Sequence, residues 1–210
     1  MSTFLELGVP AQLASVLEAS GKTEAFAIQR DTLPDSLAGR DVLGRGRTGS
    51  GKTIAFALPL IARLSGASAA RRNPGQPRGL VLAPTRELAT QIAATLIPLA
   101  EAVGRLEDLM KQGVVRLDRV EITVLDEADH MADLGFLPGV TRILAATPQG
   151  GQRMLFSATL DRGVDSLVRR FLRDEVRHEV DDESVPQGEM IHRVFVIDGT
   201  DEKTALVQRL

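Results

Sequence analysis

Gly46-Arg47-Thr48-Gly49-Ser50-Gly51-Lys52-Thr53 fits the pattern G-x-x-x-x-G-K-[ST], and its chemistry decides the fold. Gly46, Gly49 and Gly51 let the backbone take turns that a Cβ disfavours, so successive N–H groups can converge on phosphate oxygens. Lys52 adds a point charge for the outer phosphates, and Thr53 offers a hydroxyl to Mg2+. Upstream, Asp41-Val42-Leu43-Gly44 reads as a short strand that delivers the chain into the loop. Downstream, the apolar run Ile54 to Leu60 reads as a helix whose N-terminal dipole favours the same anion. Strand, glycine-rich loop and helix in that order mark a nucleoside triphosphate site.

Working outward, the same alternation repeats. Gly79 to Ala83 is a short apolar run bounded by turn signals, the mark of a buried strand. Thr85 then caps a helix with Glu87 in its first turn and Leu88, Ile92, Leu96, Leu99 and Val103 on its inner stripe. Pro98 is expected to kink that helix or end it early, because its ring clashes with the Ala94 carbonyl. Val120 to Leu125 is a further strand, running into Asp126-Glu127-Ala128-Asp129. Acidic residues just past a strand, downstream of a phosphate loop, supply one carboxylate for Mg2+ and another for the attacking water. Arg153 to Phe156 is another strand and leads into Ser157-Ala158-Thr159. A helix follows, capped by Asp161, with Val164, Leu167, Val168, Phe171 and Leu172 at helical spacing, and Val176 to Val180 closes the set as a strand. Strands alternating with helices argue for an α/β fold, a mostly parallel sheet with helices on both faces. Ligands of such sheets sit at the carboxyl ends of the strands, where the phosphate loop, Thr85, Asp126 to Asp129 and Ser157 to Thr159 all fall.

The flanks are plainer. Residues 1–40 read as short helical pieces, with Pro10 starting one after the Gly8 turn and Gln29 opening a stretch through Leu33 and Leu37 that ends at Gly39. On their own terms Phe4 is a packing residue and Gln29 a surface one. Ser65 to Gly79, carrying Arg71, Arg72 and Arg78, is a loop by composition, and Leu106 to Lys111 is helical in composition up to Gly113. Acidic Asp181 to Gly188 with Pro186 reads as a linker (181–190), and residues 191–210 as the first strand and helix of another unit. The 210 residues carry a net charge of −3, so nucleic-acid binding must come from local groups rather than a global field. Zero cysteines exclude disulfides and thiolate metal sites and fit a reducing, cytoplasmic setting. No run of eighteen apolar residues offers a membrane span, and Met1 to Pro10 lacks the layout of a signal peptide.

Together these strings resemble the N-terminal RecA-like domain of the DEAD-box RNA helicases, P-loop NTPases with two such domains, over residues 1–180. The resemblance is carried by Phe4, Gly21, Ile28-Gln29, the phosphate loop, Pro84-Thr85-Arg86-Glu87-Leu88-Ala89, Asp126-Glu127-Ala128-Asp129 and Ser157-Ala158-Thr159, in that order. It implies ATP and Mg2+ as cofactors and RNA as partner. Gln29 would read adenine and Phe4 stack on it; Arg47, Thr48, Gly49, Ser50, Gly51, Lys52 and Thr53 would hold the phosphates. Thr53 and Asp126 would serve the metal, and Lys52, Asp126 and Glu127 the hydrolysis. Asp129, Ser157 and Thr159 would link nucleotide state to domain closure, and Thr85, Arg86 and Arg105 would lie near the RNA backbone.

The chain departs from the family in three ways. Ala25-Phe26-Ala27 stands where the family has prolines and a small hydroxyl residue. Asp126 follows Pro84 by only 42 positions (126 − 84), several dozen fewer than usual, so a strand–helix–strand portion and its RNA contacts look absent between Val103 and Arg105. The sheet should then be short of some family strands. The second RecA-like domain, with the arginines it would place on the γ-phosphate, is almost wholly missing; such arginines are worth roughly 10³–10⁵ in rate. The resemblance thus implies an ATP-dependent RNA helicase in shortened form. Two other readings stay open: a non-catalytic nucleotide-binding remnant, and a P-loop ATPase of another kind.

Overall fold

The computed structural model describes residues 2–65, 75–103 and 116–180. The sequence expectations for Arg105, for the helical run 106–111, for most of the 65–79 loop, and for the linker, strand and helix of 181–210 lie outside the described residues. In chain order the elements are α1 (Ala11–Ala19), α2 (Ala27–Leu37), β1 (Val42–Arg45), α3 (Lys52–Ser65), β2 (Gly79–Leu82) and α4 (Arg86–Ala102). They continue with β3 (Ile122–Leu125), α5 (Ala128–Asp133), α6 (Leu137–Ala145), β4 (Gln152–Ser157), α7 (Arg162–Phe171) and β5 (Val176–Glu179).

The five strands form one sheet in the order β2-β3-β4-β1-β5, and every pairing is parallel. Period-two alternation in the strands sorts the apolar side chains into two layers. Val42, Ile122, Val124, Met154 and Phe156 face a core shared with α1 to α4, while Leu43, Leu125 and Leu155 face one shared with α5 to α7. Both faces are therefore covered, as a parallel sheet requires. β4, in the middle, is buried along its whole length; β2, at the edge, is half-buried throughout despite its apolar sequence.

Three local expectations meet the structure differently. α4 does not end early at Pro98 but runs on to Ala102. Pro98 and Ala94 both lie on its exposed side, so the carbonyl that loses its donor faces water, while Ile92, Leu96, Leu99 and Ala100 anchor the opposite side in the core. Helices α5 and α6, between the acidic cluster and β4, were not legible as elements. Their signals are Pro138 in the first turn of α6 and the apolar spacing Leu137, Val140, Leu144. Phe4, expected at a nucleobase, is only 3% exposed and packs in the same core as Leu13, Leu17, Ile28 and Phe56.

Connectivity positions the site. From β1 the chain crosses through α3 to β2 on one side of the sheet order; from β4 it crosses through α7 to β5 on the other. β1 and β4 are neighbours, so the crevice beyond their carboxyl ends is the topological switch point where open parallel sheets bind ligands.

Candidate nucleotide-binding site

The loop after β1 is built by its glycines. Gly49 (φ +85°) and Gly51 (φ +90°) hold backbone conformations that a side chain resists, and α3 begins immediately at Lys52. The Gly46 N–H donates to the Ser157 carbonyl (3.0 Å), which ties the loop to the end of β4. Lys52 is buried, and its Nζ donates to the Gly46 carbonyl (2.7 Å), closing the loop on itself. Thr53 is half-buried in the first turn of α3, and Arg47, Thr48 and Gly49 are exposed on the loop's outer side. The Ser50 hydroxyl is buried with no hydrogen-bond partner among the described residues. A buried hydroxyl so placed in the loop is what a bound phosphate would satisfy, and in this respect the loop fits the expected ligand.

The acidic cluster sits at the neighbouring strand end. The Asp126 N–H donates to the Leu82 carbonyl (3.0 Å), and its carboxyl group is 3% exposed as part of the buried residue. Burial pushes the Asp126 carboxyl up to about 6; the Lys52 ammonium pulls it the other way, and the charges of Glu127 and Asp129 raise it further. Glu127 turns the chain with φ +53°, a left-handed conformation for a non-glycine residue, and its carboxylate lies 3.4 Å from His130 Nδ1. Among the described residues no group of three or more histidine, aspartate or glutamate side chains is placed to hold a metal. Asp126 with the Thr53 hydroxyl is the sparse donor set that suits Mg2+ shared with phosphates and water.

Asp129, Ser157 and Thr159 are brought together. Asp129 Oδ2 accepts from the Ala158 N–H (3.2 Å), the Thr159 N–H (2.9 Å) and the Thr159 hydroxyl (3.1 Å), while its own N–H donates to Ser157 Oγ (3.1 Å). Burial works against the Asp129 carboxylate, but these bonds hold it below its ordinary range. Ser157 is a junction, bonded through its carbonyl to the phosphate loop and through its hydroxyl to the acidic cluster. Thr85 is the N-cap of α4, its Oγ1 accepting from the Leu88 N–H (3.2 Å), and Arg86 is exposed beside it.

Gln29 is buried where α2 meets the phosphate loop. It is 2% exposed; its Oε1 accepts from the Phe26 N–H (2.9 Å) and its Nε2 donates to the Gly51 carbonyl (3.0 Å). The amide expected to read a base edge spans the start of α2 and the phosphate loop. Phe26, beside it, is 57% exposed, and its ring lies against Gly51. Its one sequence signal is an aromatic side chain where small residues were expected.

Comparison with known proteins decides the family. A profile of the DEAD/DEAH box helicase family matches residues 26–104 and 99–167. The chain belongs to the DEAD/DEAH box helicase family. Among curated relatives of this DEAD-box chain, the DEAD-box ATP-dependent RNA helicase 3A, chloroplastic, of Zea mays is 36% identical over 95% of the chain and 31% of its own length. The ATP-dependent RNA helicase DeaD of Escherichia coli (strain K12) is 32% identical over 100% of the chain and 37% of its own length. The DEAD-box chain thus spans about a third of the length of the relatives it matches. The alignment with DeaD runs over 241 residues, 31 more than the chain has (241 − 210). Among solved structures, the RNA-helicase Prp28 from Chaetomium thermophilum bound to ADP superimposes with a TM-score of 0.75 at 28% identity, covering 100% of this chain and 56% of that one. A DEAD box protein from the hyperthermophile Methanococcus jannaschii gives 0.68 at 29% identity, covering 83% and 55%. The fold is therefore the RecA-like domain of DEAD-box helicases.

Proposed function

We propose that this chain is the ATP-binding part of an ATP-dependent RNA helicase, holding Mg2+–ATP at the β1–β4 switch point and RNA backbone beside α4. The observation that carries the reading is the junction at Ser157, whose carbonyl accepts from the Gly46 N–H of the phosphate loop and whose hydroxyl accepts from the Asp129 N–H of the acidic cluster. Backbone N–H groups of residues 46–53 would surround the phosphates, and the Lys52 ammonium would hold the outer ones in exchange for the Gly46 carbonyl. When bound, Mg2+ supplies neutralising charge on the phosphate oxygens, held by Thr53 and Asp126. Glu127, turned out of the strand by its left-handed backbone, would orient and deprotonate the attacking water. Asp129, bonded to Ser157 and Thr159, and Ser157, whose carbonyl accepts from the Gly46 N–H, would with Thr159 carry nucleotide state toward a second RecA-like domain. Thr85 and exposed Arg86, at the N-terminus of α4, would meet phosphate and sugar, which gives binding without sequence preference.

Two features support a shortened domain of residues 1–180. The family profile matches in two overlapping pieces that meet at 99–104, and the DeaD alignment has 31 positions beyond this chain's 210. A cytoplasmic setting rests on the cysteine-free composition. Among the described residues, no helix is long and apolar enough to cross a membrane.

Anisotropy of labelled single strands tests the RNA half of this reading. Two RNAs of unrelated sequence should bind equally in the presence of Mg2+–ATP, and Arg86→Glu should weaken both alike. Binding of DNA as tight as RNA, or no effect of Arg86→Glu, would contradict it.

A further inference from the structure

The two edges of the sheet are finished differently. β5, at one edge, alternates half-buried and exposed residues and carries Arg177 and Glu179, ion-paired to Glu175 and Arg45. Charges of this kind keep an edge strand from pairing with another chain. β2, at the other edge, is Gly79-Leu80-Val81-Leu82, with no charge and no proline. The Arg78 and Leu82 carbonyls accept from the Ile122 and Asp126 N–H groups, so even-numbered residues turn their main chain toward β3. By alternation Gly79, Val81 and Ala83 turn theirs outward, where no hydrogen bond receives them among the described residues. The side chains are unfinished as well. Leu80 is half-buried and joins neither core layer. Beside Leu82 and Ala83 an apolar groove of about 450 Å3 opens toward Met131, Phe136 and Ile143, and Phe136 is 46% exposed. The family profile is also divided here: its two pieces meet at 99–104, in the connection from β2 to β3.

We propose that the β2 edge pairs with the β2 edge of a second copy of this chain, antiparallel about a two-fold axis at Val81, joining two five-stranded sheets into one. The edge is complementary to itself. With Val81 opposite its own counterpart, Gly79 falls opposite Ala83 of the second copy, and outward main-chain groups meet outward main-chain groups. The same register sets Leu80 across from Leu82 of the second copy on the side of the groove, which gives Leu80 an apolar neighbour. The occupant of this edge must itself offer a bare, uncharged strand of matching length, and β2 of another copy does so. β3 and β4 stand between β2 and β1, so the pairing leaves the nucleotide crevice open and does not depend on what binds there.

Sedimentation equilibrium of the full chain, from micromolar to near-millimolar concentration, tests this with the parent and Val81→Pro. The parent should pass from monomer to dimer across that range. Val81→Pro removes the outward N–H of both copies at the centre of the pair while sparing the ladder to β3, and should weaken dimerisation roughly ten- to a hundred-fold. Cysteine, which the chain otherwise lacks, reads the register independently and decides alone should Val81→Pro unfold. Opposed residues of a hydrogen-bonded antiparallel pair have Cα atoms about 5.5 Å apart, within disulfide reach. Under mild oxidation Val81→Cys should therefore become a covalent dimer, while Glu179→Cys, on the charged β5 edge, should stay monomeric. A parent that remains monomeric at the highest concentration would overturn the proposal. So would dimerisation of equal affinity in a folded Val81→Pro, or crosslinking of Glu179→Cys as complete as that of Val81→Cys, since either would put the contact somewhere other than β2.

Discussion

Asp126 carries the clearest titration in the molecule. Its folded-state value of about 6 lies above the ordinary 3.8, so the folded chain binds that proton more tightly than the unfolded chain does. The stability it contributes is therefore fully present below about pH 4 and lost as pH rises through 6, a loss of about 3 kcal/mol at most. Asp126→Asn should be more stable than the parent at pH 8, with the gap closing toward pH 4, as read from urea midpoints across that range. Because Mg2+ competes with the same proton, the rise in melting temperature given by Mg2+–ATP should be larger at pH 8 than near pH 5. Ser50 gives a second contrast at this scale. Its buried hydroxyl lacks a partner, so Ser50→Ala should leave the nucleotide-free chain as stable or about 1 kcal/mol more so, while weakening nucleotide binding. A melt that fell by several degrees would show that the hydroxyl is already satisfied. Of these two residues the sequence located both, because the G-x-x-x-x-G-K-[ST] spacing and the acidic run place them by pattern. It located neither the burial of Asp126 nor the isolation of Ser50, which depend on strands far apart in the chain.

Elements were legible where apolar period and caps agreed. Thr85 and Asp161 both cap the helices expected of them, Asp161 Oδ1 accepting from the Val164 N–H at 2.7 Å. α4 continues past Pro98, because the cost of a lost helical hydrogen bond depends on which side of the helix the proline takes. Spacing could not reveal the Gln29 link, since it needs Gly51, 22 positions away, to bring its carbonyl within reach. Strand packing yields its own prediction. A Cβ on Gly44 in β1 would lie 2.6 Å from Cε1 of Phe156 in β4, a fully buried ring packed against Phe56 at 5.5 Å between centroids. Gly44→Ala should destabilise the chain by about 1–3 kcal/mol through overpacking, measured as a shifted urea midpoint with an unchanged slope. An unshifted midpoint would mean that Phe156 has room to move.

At the scale of the whole molecule, the alternation of strands and helices fixes a covered parallel sheet, but not the order in which the strands lie. That order, β2-β3-β4-β1-β5, is what brings residues 46–53, 126–129 and 157–159 to one crevice. Composition and periodicity do not contain it. Asp41 shows how firmly that order is held. Its carboxylate accepts from the Arg153 N–H (2.7 Å) and the Arg173 N–H (2.8 Å), joining the start of β1 to β4 and to the turn before β5. Asp41→Ala would strand the buried Arg153 donor and free the part-buried Arg173 one, and should cost about 1–3 kcal/mol in denaturant unfolding. The central claim is that the loop of residues 46–53 and the Asp126 carboxylate form one Mg2+–ATP site. It is tested most directly by calorimetric titration of Mg2+–ATP into the parent chain and Lys52→Ala, each first shown to be folded by its own nucleotide-free melt. The parent should bind and gain about 2.7 kcal/mol of stability at a hundred-fold excess over its Kd, with both effects lost in Lys52→Ala; equal affinity in the two chains would contradict the account.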